Sequence, residues 1–261
     1  MPALPASPSP ISRRRFGVIT GGLLAPFAFG GACGLAGEAQ EAGDSLLRAR
    51  PMAGSKTSAT GTVKLGLDAG RDAVLQLPAK LSPAPLPLLV LFHGASSTGD
   101  RQLRRLMAAV EASGVAVLAP DSRESTWDAI RGGFGPDVDF INRALTRVFE
   151  TVAVDPARIA VGGFSDGASY ALSLGFANGD LFRRIIAFSP GFIINAAPQG
   201  KPRVFVSHGT ADNVLPIDRC SRVIVPGLKR RGYEVTYREF SGGHEVPPAV
   251  ADEGLKFVAA I

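Results

Sequence analysis

From residue 62 onward, two periodicities alternate along this chain. Leu88-Leu89-Val90-Leu91-Phe92 and Val115–Ala119 are unbroken apolar runs, the pattern of strands buried on both faces. Between them, Gly99–Ser113 repeats Leu103, Leu106, Met107 and Val110 at helical spacing. A second helix is expected from Pro136, with Asp137 and Asp139 at its positive end, through Leu145, Val148, Phe149 and Val152. Arg158–Gly162 is the next strand and Ser165–Asn178 the next helix, with Asn178-Gly179 as its stop. Ile185–Phe188, Val204–Ser207 and Val235–Phe240 complete the later strands. A helix over Ile217–Arg231 separates the last two, and Pro247-Pro248 opens a final one. Ahead of all these, Thr62–Leu67 and Asp72–Leu77 read as a hairpin turning at Asp68-Ala69-Gly70. Eight strands alternating with helices predict an α/β domain over 61–261, its largely parallel sheet covered on both faces.

The N-terminal part reads differently. Ser12-Arg13-Arg14-Arg15-Phe16 precedes a moderately apolar, glycine-bearing segment, Gly17–Phe29, with small residues after it. Residues 1–36 therefore resemble a twin-arginine export signal, and the expected location is periplasmic or secreted. Gly21-Gly22 and Pro26 argue against a retained membrane-spanning helix. Gly30-Gly31-Ala32-Cys33 resembles a lipoprotein box but lacks leucine three residues before Cys33, so cleavage near Ala36 is an equal reading. Residues 37–60, small and mixed in charge, read as a linker.

The formal charge of +5 includes Arg13, Arg14 and Arg15, and residues 37–60 balance internally, so a chain starting near Gly37 carries +2. No basic block remains to support nucleic-acid binding. With Cys33 in the export segment, Cys220 is expected to pack as a small hydrophobe. Three histidines and no CxxC pattern give no metal cluster to propose, and no cofactor is expected.

Candidate chemistry centres on Gly163-Phe164-Ser165-Asp166-Gly167, which fits G-x-S-x-G between a predicted strand and a predicted helix. A serine on such a turn needs neighbours without side chains, so that its hydroxyl stands clear. An acyl-transfer serine also needs a base, and an acid to orient that base. On this scaffold they come in the order serine, acid, histidine. His208 and His244 are the histidines after Ser165. Asp212 lies in the loop after the seventh strand and His244 just beyond the eighth, so both reach the rim where Ser165 sits. Asp218, the rival acid, falls inside a helix; His208 precedes the acid and reads as a packed histidine. Backbone N–H groups of Asp166 and of Ala95, in Phe92-His93-Gly94-Ala95-Ser96, are expected to hold an oxyanion, with Ser96 the neighbouring alternative and His93 bracing the turn. The Asp166 side chain is expected to face solvent or the helix start.

HG after the third strand, GFSDG after the fifth, HGTAD after the seventh and GGHEVPP after the eighth together resemble the α/β-hydrolase superfamily. The likeness, over about residues 62–261, is greatest to its phospholipase/carboxylesterase group of small serine esterases, which includes acyl-thioesterases. It implies a Ser165/Asp212/His244 triad, no cofactor and an ester substrate. Ser189–Pro202 is too short for a large cap domain. Phe192, Ile193 and Ile194 in that loop, and Trp127 after the fourth strand, are candidate pocket walls, with ordinary packing the alternative for each. The expected activity is hydrolysis of short- to medium-chain carboxylic esters by an exported enzyme. A polyhydroxyalkanoate depolymerase or feruloyl-type esterase is the nearest rival, and a non-catalytic binding protein of the same fold the rival from another class.

Overall fold

The computed structural model describes residues 45–55, 57–81 and 83–260. The export-signal reading of 1–36, with Cys33, and the first part of the 37–60 linker lie outside the described residues.

Eight strands form one sheet: β1 (Gly61–Lys64), β2 (Ala73–Leu77), β3 (Leu86–Phe92), β4 (Ala116–Pro120), β5 (Val154–Phe164), β6 (Arg184–Phe188), β7 (Arg203–Gly209) and β8 (Val235–Phe240). Their order across the sheet is β1-β2-β4-β3-β5-β6-β7-β8. β1 and β2 form the expected antiparallel hairpin, and β2 also runs antiparallel to β4. Every other pairing is parallel. Helices are α1 (Gly99–Ser113), α2 (Asp128–Arg131), α3 (Pro136–Thr151), α4 (Asp166–Ala177), α5 (Ser221–Arg230) and α6 (Pro248–Ala259).

The double-sided burial read from the apolar runs is literal in β3. Leu88, Val90 and Phe92 join the core beneath α3, α4 and α5, while Leu89 and Leu91 join the opposite core beneath α1 and α6. Strand alternation thus splits one apolar run between two layers. Chain order reverses at the carboxyl ends of β3 and β5, since β4 lies to one side of β3 and β5 to the other. Such a reversal opens a crevice where the connections diverge, the usual ligand position in open α/β sheets. No helix or strand lies between Phe188 and Arg203, so no cap domain covers this rim from that loop.

Two expectations are corrected. The helix expected over Ile217–Arg231 is split: a 3-10 turn, Ile217–Arg219, gives way to α5 at buried Cys220, whose φ/ψ of −116/−100 is not helical. The linker reading of 37–60 fails over residues 45–50. Ser45, Leu47 and Ala49 are buried, and Leu47 N–H donates to Asn178 Oδ1 at 2.7 Å while Asn178 Nδ2 donates to Ser45 O. Arg48 and Ala49 N–H groups both donate to Asn142 Oδ1. This segment packs into the same core as α4, a helix buried from Gly167 to Ala177. A helix apolar on every side needs cover on every side, and residues 45–50 supply part of it.

Leu47, only 2% exposed, is therefore a core residue. Leu47→Ala should cost about 2–4 kcal/mol, read as a lowered urea midpoint at unchanged m. A chain beginning at residue 61 should unfold at still lower urea than one beginning at 45.

Candidate active site

The turn carrying Ser165 is built by close approach. A Cβ at Gly163 would lie 2.3 Å from Gly167 O, and one at Gly167 2.5 Å from the carbonyl oxygens of both Phe92 and His93. Only glycine lets β5, α4 and the end of β3 meet this tightly. Ser165 itself sits at φ 59, ψ −123, a conformation that costs a non-glycine residue about 1–3 kcal/mol. Its backbone is tied on both sides: Ser165 N–H donates to Phe188 O of β6, and Ser165 O accepts from Ala168 and Ser169 N–H.

Ser165 Oγ lies 2.8 Å from His244 Nε2, and His244 Nδ1 lies 2.6 Å from Asp212 Oδ2. With the Nδ1 proton donated to the carboxylate, Nε2 is free to accept from the serine hydroxyl. The loops that carry the acid and the histidine are laced together, Thr210 N–H donating to Phe240 O and Ala211 N–H to Gly242 O. Phe164 packs against the imidazole at a centroid distance of 4.6 Å. Asp212 is buried, and its Oδ1 accepts from the Val214 and Leu215 N–H groups at 2.9 and 2.8 Å. The three residues singled out from chain order are thus joined in a single hydrogen-bonded line.

On the opposite side of Ser165 stands the turn after β3. A Cβ at Gly94 would be 3.3 Å from Ser165 Cβ, so this turn abuts the serine. Ser96 N–H is spent on Ser125 O at 2.7 Å, which removes it as an oxyanion donor and leaves Ala95 N–H in the exposed turn. Asp166 N–H begins α4, where first-turn amides have no partner within the helix. Both arrangements suit binding of a developing negative charge. The Asp166 carboxylate is half-buried, and Thr126 Oγ1 donates to its Oδ2 at 2.7 Å.

His93 braces this turn. Ser122 N–H donates to His93 Nε2 at 2.9 Å, so the ring proton sits on Nδ1 and is donated to Gly94 O at 2.8 Å. Burial holds His93 below the ordinary imidazole range and keeps it neutral.

The candidate pocket walls fare unequally. Trp127 is corrected: its side chain is 0% exposed, stacks on Tyr170 and donates Nε1–H to His93 O at 2.9 Å. It holds the loop after β4 rather than lining a cleft. Ile193 is also corrected. Its neighbour Ile194 is tied to Ser173, two turns along α4 from Ser165, and Ile193 lines a separate cavity of about 290 Å³ with Phe176, Leu228 and Tyr233. Phe192 stays at the rim. Gly191 N–H donates to Ser169 Oγ one turn from Ser165, and Phe192 is 37% exposed beside it. Chain order gives no sign of Val214, 65% exposed and two residues from Asp212.

The family model described as phospholipase/carboxylesterase matches residues 138–260, which include Ser165, Asp212 and His244. The chain has the α/β-hydrolase fold. Among relatives of this chain is NocK of Nocardia uniformis subsp. tsuyamanensis, a provisionally assigned esterase, 27% identical over 66% of this chain and 53% of that one. Acyl-protein thioesterase 1 of Gibberella zeae is 30% identical over 40% of this chain and 48% of that one. The match spans about half the length of each of these relatives. The crystal structure of esterase PE8 superposes with a TM-score of 0.59 at 23% identity, covering 73% of this chain and 98% of that one.

The turn beside Ser165 depends on the loop after β4, which is held by two carboxylates, Asp137 buried and Asp128 half-buried. Asp137, 1% exposed, accepts from Arg123 N–H at 2.5 Å and Asp128 N–H at 2.6 Å. Asp128 accepts in turn from Gly135 and Asp137 N–H. Burial, aided by the neighbouring Asp128 charge, raises Asp137 from 3.8 to about 6. Between those two values the folded state binds more protons than the unfolded one, so this group's contribution to stability falls as pH rises through the window. Asp137→Asn should abolish that fall, and the stability gap between wild type and variant should narrow from pH 4 to pH 6 in urea titrations.

Proposed function

We propose that this hydrolase is an exported serine esterase that cleaves carboxylic esters of short to medium acyl chain. The observation that carries the reading is the unbroken line Ser165–His244–Asp212, at 2.8 and 2.6 Å, ending on a strained and tightly held serine. Ser165 Oγ attacks the ester carbonyl carbon while its proton passes to His244 Nε2. The resulting oxyanion is held by the Ala95 and Asp166 N–H groups. His244 then protonates the leaving alkoxide, the C–O bond breaks and the acyl group remains on Ser165. Water, deprotonated by His244, attacks the acyl-enzyme and releases the acid. Asp212 keeps the imidazole in the Nδ1–H tautomer and balances its charge when it is protonated. Export is supported by the arginine triplet and apolar segment of residues 13–29. No helix among the described residues is long and apolar enough to cross a membrane.

Purified protein is to be assayed against nitrophenyl esters from acetate to laurate, with feruloyl and polyhydroxyalkanoate esters in the panel. Ser165→Ala should lose about 10⁴-fold or more in kcat. Equal rates for the two proteins would sink the reading, and turnover of only the feruloyl or polymer ester would move it to that substrate class.

Substrate preference should track the rim. Phe192 and Val214 are exposed apolar side chains on the two loops flanking the serine, and these loops touch, since a Cβ at Gly191 would lie 3.3 Å from Leu215 Cδ2. They suit an apolar acyl chain lying across the open cleft. Val214→Asp should raise KM for octanoate by roughly tenfold, the loss of about 1.4 kcal/mol of apolar contact, while leaving acetate nearly unchanged. An equal effect on both esters would remove Val214 from the acyl path.

A further inference from the structure

His208 is fully buried at the end of β7 and takes no part in the reaction just described. Its two nitrogens are both engaged. Ser221, the first residue of α5 and itself buried, has its Oγ 2.7 Å from His208 Nδ1. His208 Nε2 lies 2.8 Å from Leu215 O, an obligate acceptor. The ring proton is therefore on Nε2, and the serine hydroxyl donates to Nδ1. Leu215 is the residue whose own N–H donates to Asp212 Oδ1. Beyond this bond, His208 Nε2 stands 3.3 Å from Asp212 Oδ2, the oxygen that receives His244 Nδ1–H.

We infer that His208, locked in one tautomer by Ser221, is a positioning residue that clamps the 212–215 turn and so aims Asp212 at His244. The inference rests on the triad reading above. Its logic is mechanical and electrostatic together. Holding Leu215 O pins the residue whose own N–H, on the preceding peptide, donates to Oδ1, so the turn resists any swing of the carboxylate away from the imidazole. The Nε2–H dipole also shares the charge on Oδ2. Burial keeps His208 below the ordinary imidazole range, with Asp212, His244 and, on β8, Glu239 the charged or titratable groups that face it. It thus holds a single proton through the working range and presents it in one direction. The break at Cys220 belongs to the same device. Had the helix run unbroken from Ile217, Ser221 would be an interior helical residue; instead it begins α5 with its hydroxyl on the ring.

The test compares His208→Leu, His208→Gln and Ser221→Ala with wild type. It measures kcat and KM across pH, the low-field proton resonance of His244 Nδ1–H, and thermal unfolding. A small misplacement of a catalytic group costs on the order of 100-fold. His208→Leu should accordingly lose about 10- to 100-fold in kcat, with KM little changed. Its acidic limb should move to higher pH, because a carboxylate relieved of one donor holds the imidazolium more strongly. Glutamine, whose amide N–H can reach Leu215 O, should recover most of the rate and the wild-type limb. Ser221→Ala should fall between, and it carries the test if His208→Leu fails to fold; its His208 ¹⁵N spectrum should then show both tautomers. A folded His208→Leu, or Ser221→Ala in its place, with wild-type kcat, limb and low-field proton would overturn the inference, even with Ser165→Ala inactive. A wild type that turns over no ester, yet whose low-field proton responds to His208→Leu, would sink the triad reading and leave the positioning role standing.

Discussion

Everything at this site depends on how closely three pieces of backbone can approach one another. At the elbow, β5 arrives, α4 departs and the end of β3 lies against both, with carbonyl oxygens where two Cβ atoms would otherwise be. Glycines at 163 and 167 are the condition for that contact. Because the contact is tight, Ser165 is forced to positive φ, and a strained residue persists only where its surroundings over-determine it. Here they do, through the hydrogen bond to β6 and the first turn of α4. The same contact brings the turn after β3 alongside the serine, so the placement of the proposed nucleophile and that of its proposed oxyanion donors have one cause.

The second half of the site is assembled by a different principle. Asp212 and His244 sit on loops, and loops need tethers to hold geometry to within a fraction of an ångström. The tethers are the two backbone hydrogen bonds between the loops, the Phe164 ring under the imidazole, and the two amides on Asp212 Oδ1. A buried carboxylate is costly unless its lone pairs are satisfied, and Asp212 meets that requirement with donors that also orient it.

Much of this is legible in residue order, because sheet topology turns order into position. In a parallel sheet the loop leaving each strand emerges on the same rim, so Ser165, Asp212 and His244 converge without any knowledge of contacts. The apolar runs locate the strands for a related reason: burial on both faces leaves an unbroken signature. Whatever is decided by packing across long separations resists such reading. Trp127 sits next to the site in chain order, yet its indole is consumed by Tyr170 and the His93 carbonyl. Ile193 comes after a rim strand, but Ser173 draws its loop down the helix and away from Ser165. Residues 45–50 look like a polar linker because three alternating small or apolar residues make too short a run to register, and their docking depends on Asn142 and Asn178 far along the chain. His208 reads as packed from the sequence, which it is, but packing against Leu215 O and Ser221 becomes informative only when the contacts of Asp212 are known.

The loop after β4 shows how such long-range packing reaches the chemistry. It makes no bond to the triad, yet it occupies Ser96 N–H through Ser125 and the Asp166 carboxylate through Thr126. Without the first contact, Ser96 would compete with Ala95 for a developing charge. Without the second, a carboxylate one residue from Ser165 would be free to turn toward the place where negative charge forms. Both effects work by taking an option away. The loop in turn is held by Asp128 and Asp137 on backbone amides, and by Trp127 wedged against α4. A structural tryptophan and two carboxylates, Asp137 buried and Asp128 half-buried, therefore act on the proposed oxyanion side from a distance, by fixing which backbone groups remain free there.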